Sequence, residues 1–472
     1  MPIPKIIHQI WIGSNPRPNL LLATWKRKHP SFEYILWTEE EIKKRGLKLQ
    51  CQREFDMINE IVGKVDILRL EILYKFGGVY IDADSICINP FDDFFFEENA
   101  FATYENENIR NGLVATGTMG FCPKHPICKD MLDWITSDKS KEMINTYKAW
   151  FSVGPACLTR FLDTGKYTDF MVYPSYFFLP HHFTGVKYDG HRKVYAHQEW
   201  CNTDNKYDVI NKAILPEDMQ SPQIWVSVLI ASYNSTKDHI HDCLNSICDQ
   251  KGHFGMEIIW INDGSTPECT KDLEDELFWF QNSMRFCKVA YKKLDYNCGL
   301  SYCLNIGVSI CTNPLIFRMD SDDIMHPTRI QKQMEFMNNN ADCMLCGTQI
   351  QMMTDKKEKM GKTNHPEIII LEDFLENPRH WFVNHPSVCF RKNAILEVGN
   401  YNKTQKPNWI LEDFELWLKV LKQFGKIYNL PDVLLLYRLH AKQSTNVLNT
   451  DSVENKNLRE KMIDDILRTY PS

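Results

Sequence analysis

Two hydrophobic patterns alternate along this chain. Short runs rich in β-branched and aromatic residues occupy Ile6–Trp11, closed by Gly13, and later Trp225–Ala231, Glu257–Ile261 and Leu315–Met319. Runs of this length and composition predict buried strands. Between them, apolar residues recur at helical spacing, as in Asp66–Tyr74, which leads into Gly77-Gly78 and a further strand-like run. Alternating strands and helices predict α/β architecture with a mostly parallel sheet. In such sheets, ligands sit at the carboxyl ends of the strands. The alternation breaks once, at Ala213–Pro222, a polar stretch carrying Pro216 and Pro222 that reads as a linker. It divides the chain into one domain over residues 1–218 and a second over 223–472.

Composition narrows the class. With 472 residues, 43% hydrophobic and 24% charged, the chain has ordinary globular composition and length for two or three cores. A net charge of -7 argues against a nucleic-acid binder, which carries a basic surplus. The 16 cysteines are scattered without a regular framework, which predicts reduced thiols in a cytosol-like compartment. Cys343 and Cys346 form a lone C-x-x-C with no second ligand pair, so core thiols are expected rather than zinc. Met1–Lys5 lacks the apolar core of a signal peptide, and no run approaches the roughly 18–20 apolar residues of a membrane span. A soluble cytoplasmic protein is expected, which something else must bring to any membrane where it works.

Two acidic motifs supply the chemistry. Tyr80-Ile81-Asp82-Ala83-Asp84 and Arg318-Met319-Asp320-Ser321-Asp322-Asp323 each end an apolar run in carboxylates spaced i, i+2. On a regular strand that spacing puts both side chains on one face. At a strand end the pair can hold a divalent cation against a diphosphate, since hard oxygen ligands suit Mg²⁺ and Mn²⁺. Asp66 and Arg69 share a helical face, where the Arg can grip a sugar diphosphate; the alternative is a surface ion pair. Trp11 reads as a base-stacking ring or as a core aromatic.

Ile6–Gly13, Asp66–Tyr74 and Gly77–Asp84, in that order, resemble the DXD sugar transferases of glycosyltransferase family 32 and, more distantly, the catalytic domain of large clostridial glucosylating toxins. That resemblance implies that Trp11 stacks on the nucleobase. It implies that Asp66 and Arg69 contact sugar and nucleotide, that Asp82 serves the ribose, and that Asp84 binds metal directly. His197 and Trp200 stand where that family carries a His and a Trp near the diphosphate. Glu199 and Asn202 are candidates to complete the metal shell, and Val153-Gly154-Pro155 looks like an acceptor-side turn.

The second half carries Val226–Asn234, Asn262–Ser265, Asn297–Ser301, Leu304–Gly307, Arg318–Asp323, His385–Arg391, Leu411–Trp417 and Tyr437–His440, a series that resembles glycosyltransferase family 2. On that resemblance Asp263 accepts from uracil, Tyr233 flanks the base, and Asp320 and Asp322 hold ribose and metal. His440 completes the metal shell, and Asp413 is the general base. Without the other motifs, Glu412-Asp413 would read only as the acidic first turn of a helix. His385 is either structural or acceptor-side. The Gln-x-x-Arg-Trp signature of processive members is absent after Asp413.

Together the resemblances imply two GT-A-type, Rossmann-like glycosyltransferase domains in tandem, the first retaining and the second inverting. Each would use one Mn²⁺ or Mg²⁺ and a nucleotide-sugar donor, of the UDP-linked kind, toward a glycan, lipid-linked or protein-linked saccharide acceptor. Two other classes compete: one active domain beside a degenerate sugar-binding module, and an aspartate-nucleophile phosphohydrolase built on Asp320–Asp323.

Overall fold

The computed structural model describes residues 2–204, 207–212, 215–403, 411–440 and 453–470. Ala213 and Ile214 of the expected linker fall outside them. The chain forms two compact units: Met1–Tyr188 with Lys193–Met219, and Asp189–Arg192 with Gln220–Ser472.

In the first unit, strands β1 (Ile6–Ile10), β2 (Glu33–Trp37), β3 (Gly78–Ile81), β5 (Ala100–Tyr104), β6 (Val114–Phe121) and β7 (Phe170–Tyr173) make one sheet, in the order β2-β1-β3-β6-β5-β7. β4 (Ser85–Cys87) pairs with β8 (Ala196–Gln198) beside it. The strands alternate as a two-sided sheet must. Tyr80 joins a core with Ile67, Leu70 and Leu73 of the helix Ile61–Phe76, while Val79 and Ile81 join Trp25, Phe95 and Phe101 on the other side.

This sheet is mixed rather than mostly parallel. β1 runs parallel to β2 and β3, but β6 runs antiparallel to both β3 and β5. The β5–β6 connection is too short for a parallel crossover, which takes a dozen or more residues. β3 and β5 therefore run in the same direction. Trp11, Asp82, Glu105 and the start of β6 gather along one sheet edge.

His8 locks the corner behind that edge. Its Nδ1 accepts from the Trp37 indole at 3.1 Å, so its Nε2–H donates to Gly77 O at 2.8 Å. Burial lowers its pKa to about 4 and keeps the ring neutral. Gly78, at φ 94°, lets the strand start against β1: a Cβ there would lie 2.7 Å from Ile6 O.

The second unit is built on β9 (Trp225–Ser232), β10 (Gly255–Asn262), β11 (Cys287–Lys293) and β12 (Leu315–Asp320), parallel in the order β11-β10-β9-β12. The predicted strands fall on β9, β10 and β12. Beyond β12 the sheet turns mixed. β17 (Cys389–Arg391) is antiparallel to both β12 and β14 (Leu345–Thr354), and β14 pairs in parallel with β18 (Lys426–Leu439). The helices Lys237–Cys248 and Pro267–Ser283 cover one face, and Leu300–Ile310 with Glu412–Phe424 cover the other. None of the 16 cysteines is in a disulfide, and Cys343 Sγ packs 3.2 Å from Met337 Sδ in the core.

Candidate active sites

Neither acidic pair lies wholly on a strand: Asp82 and Asp84 both follow β3, and Asp322 follows β12, whose last residue is Asp320. β3 ends at Ile81 and β12 at Asp320; a tight turn follows each, closed by Ser85 N–H donating to Asp82 O (3.3 Å) and by Asp323 N–H to Asp320 O (3.4 Å). The expectation of two carboxylates sharing a strand face is thus corrected. The turn, not strand alternation, brings them together, because Asp favours turns over strand interiors.

In the first unit, Arg69 is the pivot. Its guanidinium pairs with Asp66 Oδ1 at 2.9 Å, lies 3.7 Å from Asp82 Oδ1, donates to Thr116 O, and sits 4.6 Å over the Tyr80 ring. Both partners of the Asp66–Arg69 pair are buried, so it is no surface ion pair. The fork forms a floor that fixes Asp66 and Asp82 side by side. Tyr80 OH donates to Asp82 Oδ1 at 2.7 Å, and Gln9 Nε2 to Asp82 O at 3.3 Å. Asp84 accepts from Gln198 Nε2 at 2.6 Å and from Cys201 N–H at 2.9 Å, which ties it to the β8 segment.

Trp11, half-buried, follows the last residue of β1, with its indole N–H donating to Asn15 O (3.1 Å) and its ring edge-on to Tyr207, 6.1 Å away. Trp200, at φ 53°, donates to His181 O at 2.8 Å and packs on Phe183. His197 lies 3.4 Å from Glu199. The Asn202 side chain lies outside the described residues.

Burial lifts Asp66 from the usual 3.8 to about 6, against the pull of Arg69. A raised folded-state value means the folded chain holds the extra proton through that interval. The contribution to stability is therefore full below about pH 4 and is lost as pH rises through about 6. Asp66→Asn is expected to flatten the fall of the first unit's melting temperature between about pH 4 and 7. An unchanged slope in a pH series of melting curves would contradict this. Asp84 is also lifted to about 6, by burial and then by Asp82.

In the second unit, Arg318, buried, grips Asp320 with both ends of its fork, NH1 at 2.9 Å and NH2 at 2.5 Å. Asp322 Oδ2 lies 2.8 Å from His440 Nε2. Asp323 accepts from Arg438 N–H at 2.9 Å through Oδ1, while its buried Oδ2 has no hydrogen-bond partner. Asp320, Asp322 and Asp323 each bring an oxygen within 4.8 Å of the others. A set of hard oxygen donors with one buried orphan oxygen fits a divalent cation. In the first unit no group of three such ligands lies together among the described residues, and the charge of Asp82 acts on Asp84. A cation there would draw the rest of its shell from diphosphate and water, as Mg²⁺ commonly does.

Asp263 accepts from Cys298 N–H (2.7 Å) and Gly299 N–H (2.9 Å), so it holds the Asn297–Gly299 turn at the end of β10. Tyr233, beyond β9, is exposed on the same edge. Asp413 begins the helix Glu412–Phe424, buried, with Oδ1 accepting from Phe414 N–H at 2.7 Å. Burial and then Glu412 raise its pKa, and Arg318 acts on it as well as on Asp320. The helix and the acidic turn thus share one charged neighbourhood. His385 is buried between Glu412 (3.4 Å) and Tyr401 OH (2.9 Å), and burial holds it neutral.

The structure adds residues with no role in the sequence reading: Tyr80, Thr116 and Gln198 in the first unit, and Arg318, Asp323 and Arg438 in the second. Arg438 donates from Nε to Asp322 O at 2.7 Å and from NH2 to Asp242 Oδ2 at 2.7 Å. Its nearness to His440 in sequence was the available signal.

Comparison with known proteins gives the same division. The family described as Glycosyltransferase sugar-binding region containing DXD motif matches residues 16–101, and Glycosyl transferase family 2 matches 227–399. The amylovoran biosynthesis glycosyltransferase AmsE of Erwinia amylovora is 30% identical over 215 residues, covering 45% of this chain and 75% of that protein. The UDP-Gal:alpha-D-GlcNAc-diphosphoundecaprenol beta-1,3-galactosyltransferase of Escherichia coli is 29% identical over 182 residues, 38% of this chain and 61% of that protein. Among solved structures, S. aureus TarS 1–349 in complex with UDP-GlcNAc aligns with a TM-score of 0.40 at 16% identity, over 52% of this chain and 66% of that one.

Proposed function

This chain belongs to the glycosyltransferases, and from that premise we propose that it is bifunctional, with one metal-dependent transfer site in each unit adding successive sugars to a glycan. The observation that carries the proposal is the repeated site: in both units a buried arginine, Arg69 or Arg318, braces an acidic turn at a strand's carboxyl end. A divalent cation bound at each turn would offset charge on the departing diphosphate.

The chain's own residues do the rest. In the second unit Asp413 takes the acceptor hydroxyl's proton as that oxygen attacks the anomeric carbon, giving inversion. Arg318 keeps Asp320 ionised and oriented. In the first unit Asp66 and Arg69 hold the sugar, no carboxylate is assigned as base, and the configuration is retained. UDP-linked donors are proposed for both; the Escherichia coli relative, named for UDP-Gal, supports this for the second. The acceptor is a lipid-linked or protein-linked saccharide. A cytoplasmic setting suits cysteines that form no disulfide, and no helix among the described residues is long and apolar enough to cross a membrane.

The test is product analysis. The chain is incubated with a panel of UDP-sugars and saccharide acceptors, and anomeric protons are read by NMR. Two linkages are expected from α-linked donors, one α and one β. A single linkage from every donor pair would defeat the bifunctional reading. A second reading makes the first unit a nucleotide-sugar-binding module; it is favoured by Asp84, both of whose oxygens already accept hydrogen bonds.

A further inference from the structure

We infer that Trp150 is the platform on which the first unit seats the pyranose ring of its acceptor saccharide. The inference rests on the first unit being a sugar-transfer site. Trp150 lies on the short helix Ala149–Ser152 and is 45% exposed, unusual for the largest apolar side chain. Two glycines bring that helix against the helix carrying Asp66. At Gly63 a Cβ would lie 2.7 Å from the Ala149 Cβ. At Gly154 a Cβ would lie 2.8 Å from Asp66 Oδ2 and 3.0 Å from the Trp150 Cα. Trp150 therefore stands about one residue's breadth from the buried carboxylate of the site.

Its neighbours extend this wall along the active edge. Arg110, in the loop after β5, lies 5.4 Å over the Trp150 ring and 5.5 Å over Phe183. Phe183 packs on Trp200 at 5.2 Å. Arg110 is itself held by Glu105 at 3.1 Å, a buried carboxylate that also meets His182 Nε2 at 3.2 Å. The wall thus runs from Trp200, through Phe183, Arg110 and Trp150, to Asp66. With the Arg110 guanidinium over one face of the indole, the surface that Trp150 leaves exposed, flanked by charge, matches a pyranose. The ring's axial C–H face rests on the aromatic surface, and its hydroxyls meet the charged groups. A nucleobase would also stack, but Trp11, just past the end of β1, is the ring already proposed for it.

The test uses the intact chain, saturated with UDP and Mn²⁺, and saturation-transfer NMR. The probes are methyl β-D-galactopyranoside, methyl β-D-glucopyranoside and methyl α-D-mannopyranoside. Saturation is expected at the ring C–H protons of at least one probe. Its dissociation constant should weaken roughly tenfold or more in Trp150→Ala and less than about threefold in Trp150→Phe, which keeps a ring. Phe278→Ala, which removes an exposed ring of the second unit, should change nothing. Equal binding by wild type and Trp150→Ala, or no binding by any probe, overturns the platform. Calorimetric titration with UDP separates the two levels of failure. Two nucleotide sites, one of them lost in Asp82→Asn, with pyranoside binding indifferent to Trp150, would sink the platform alone. A single nucleotide site unaffected by Asp82→Asn would sink the reading of the first unit, and the platform with it.

Discussion

Asp413→Asn is expected to lower turnover of the second unit's reaction by about 10²–10⁴-fold while leaving donor affinity nearly unchanged. Asparagine matches the volume and still offers an oxygen to the Phe414 N–H that Asp413 now engages. What it cannot do is take a proton. The raised pKa of Asp413, caused by burial and then by Glu412, suits a base working nearer neutrality than an ordinary carboxylate. A base must be ionised, so wild-type rates should fall as pH drops through that raised value, and the variant should lose this acid limb. Glu412→Gln is the useful contrast. Glu412 faces His385 at 3.4 Å, so its loss disturbs the buried network without removing the proposed proton acceptor, and it should slow turnover far less. Full activity in Asp413→Asn, or equal losses in the two variants, would move the base elsewhere.

How much of this was legible in the sequence depended on distance along the chain. Three of the four parallel strands of the second unit, β9, β10 and β12, were readable, because apolar runs such as Val228–Ala231 mark strands buried on both faces. The acidic motifs were readable because each closes such a run, but as strand ends and not as the turns that hold them. The antiparallel β6 was not, since nothing local in Val114–Phe121 states its direction. The site's supports were hidden for a similar reason. Gln198 reaches Asp84 across 114 positions and Arg438 reaches Asp322 across 116, and no periodicity encodes such pairings. Asp66 and Arg69 were readable as a pair by helical spacing, but their burial comes from Thr116 and Tyr80, on strands formed later in the chain.

The two acidic turns should respond differently to removal of the carboxylate expected to hold metal. Asp322→Ala is expected to lower the second reaction at least about 100-fold and to leave the first reaction untouched. It should cost little stability, because Asp322 stands among like charges, with Asp320 and Asp323 oxygens within 4.8 Å. Among the described residues, the side chain leaning on its carboxylate is that of His440. Asp84→Ala should abolish the first reaction alone, but it also strips the acceptor from Gln198 Nε2 and from the Cys201 N–H. Leaving such donors unpaired costs about 1–3 kcal/mol, so the first unit should melt several degrees lower. Melting curves read beside the two product yields therefore separate chemistry from folding. Loss of both products in either variant when each reaction is supplied with its own acceptor, or an Asp84→Ala chain that keeps the first product, would end the assignment of one acidic turn to each transfer.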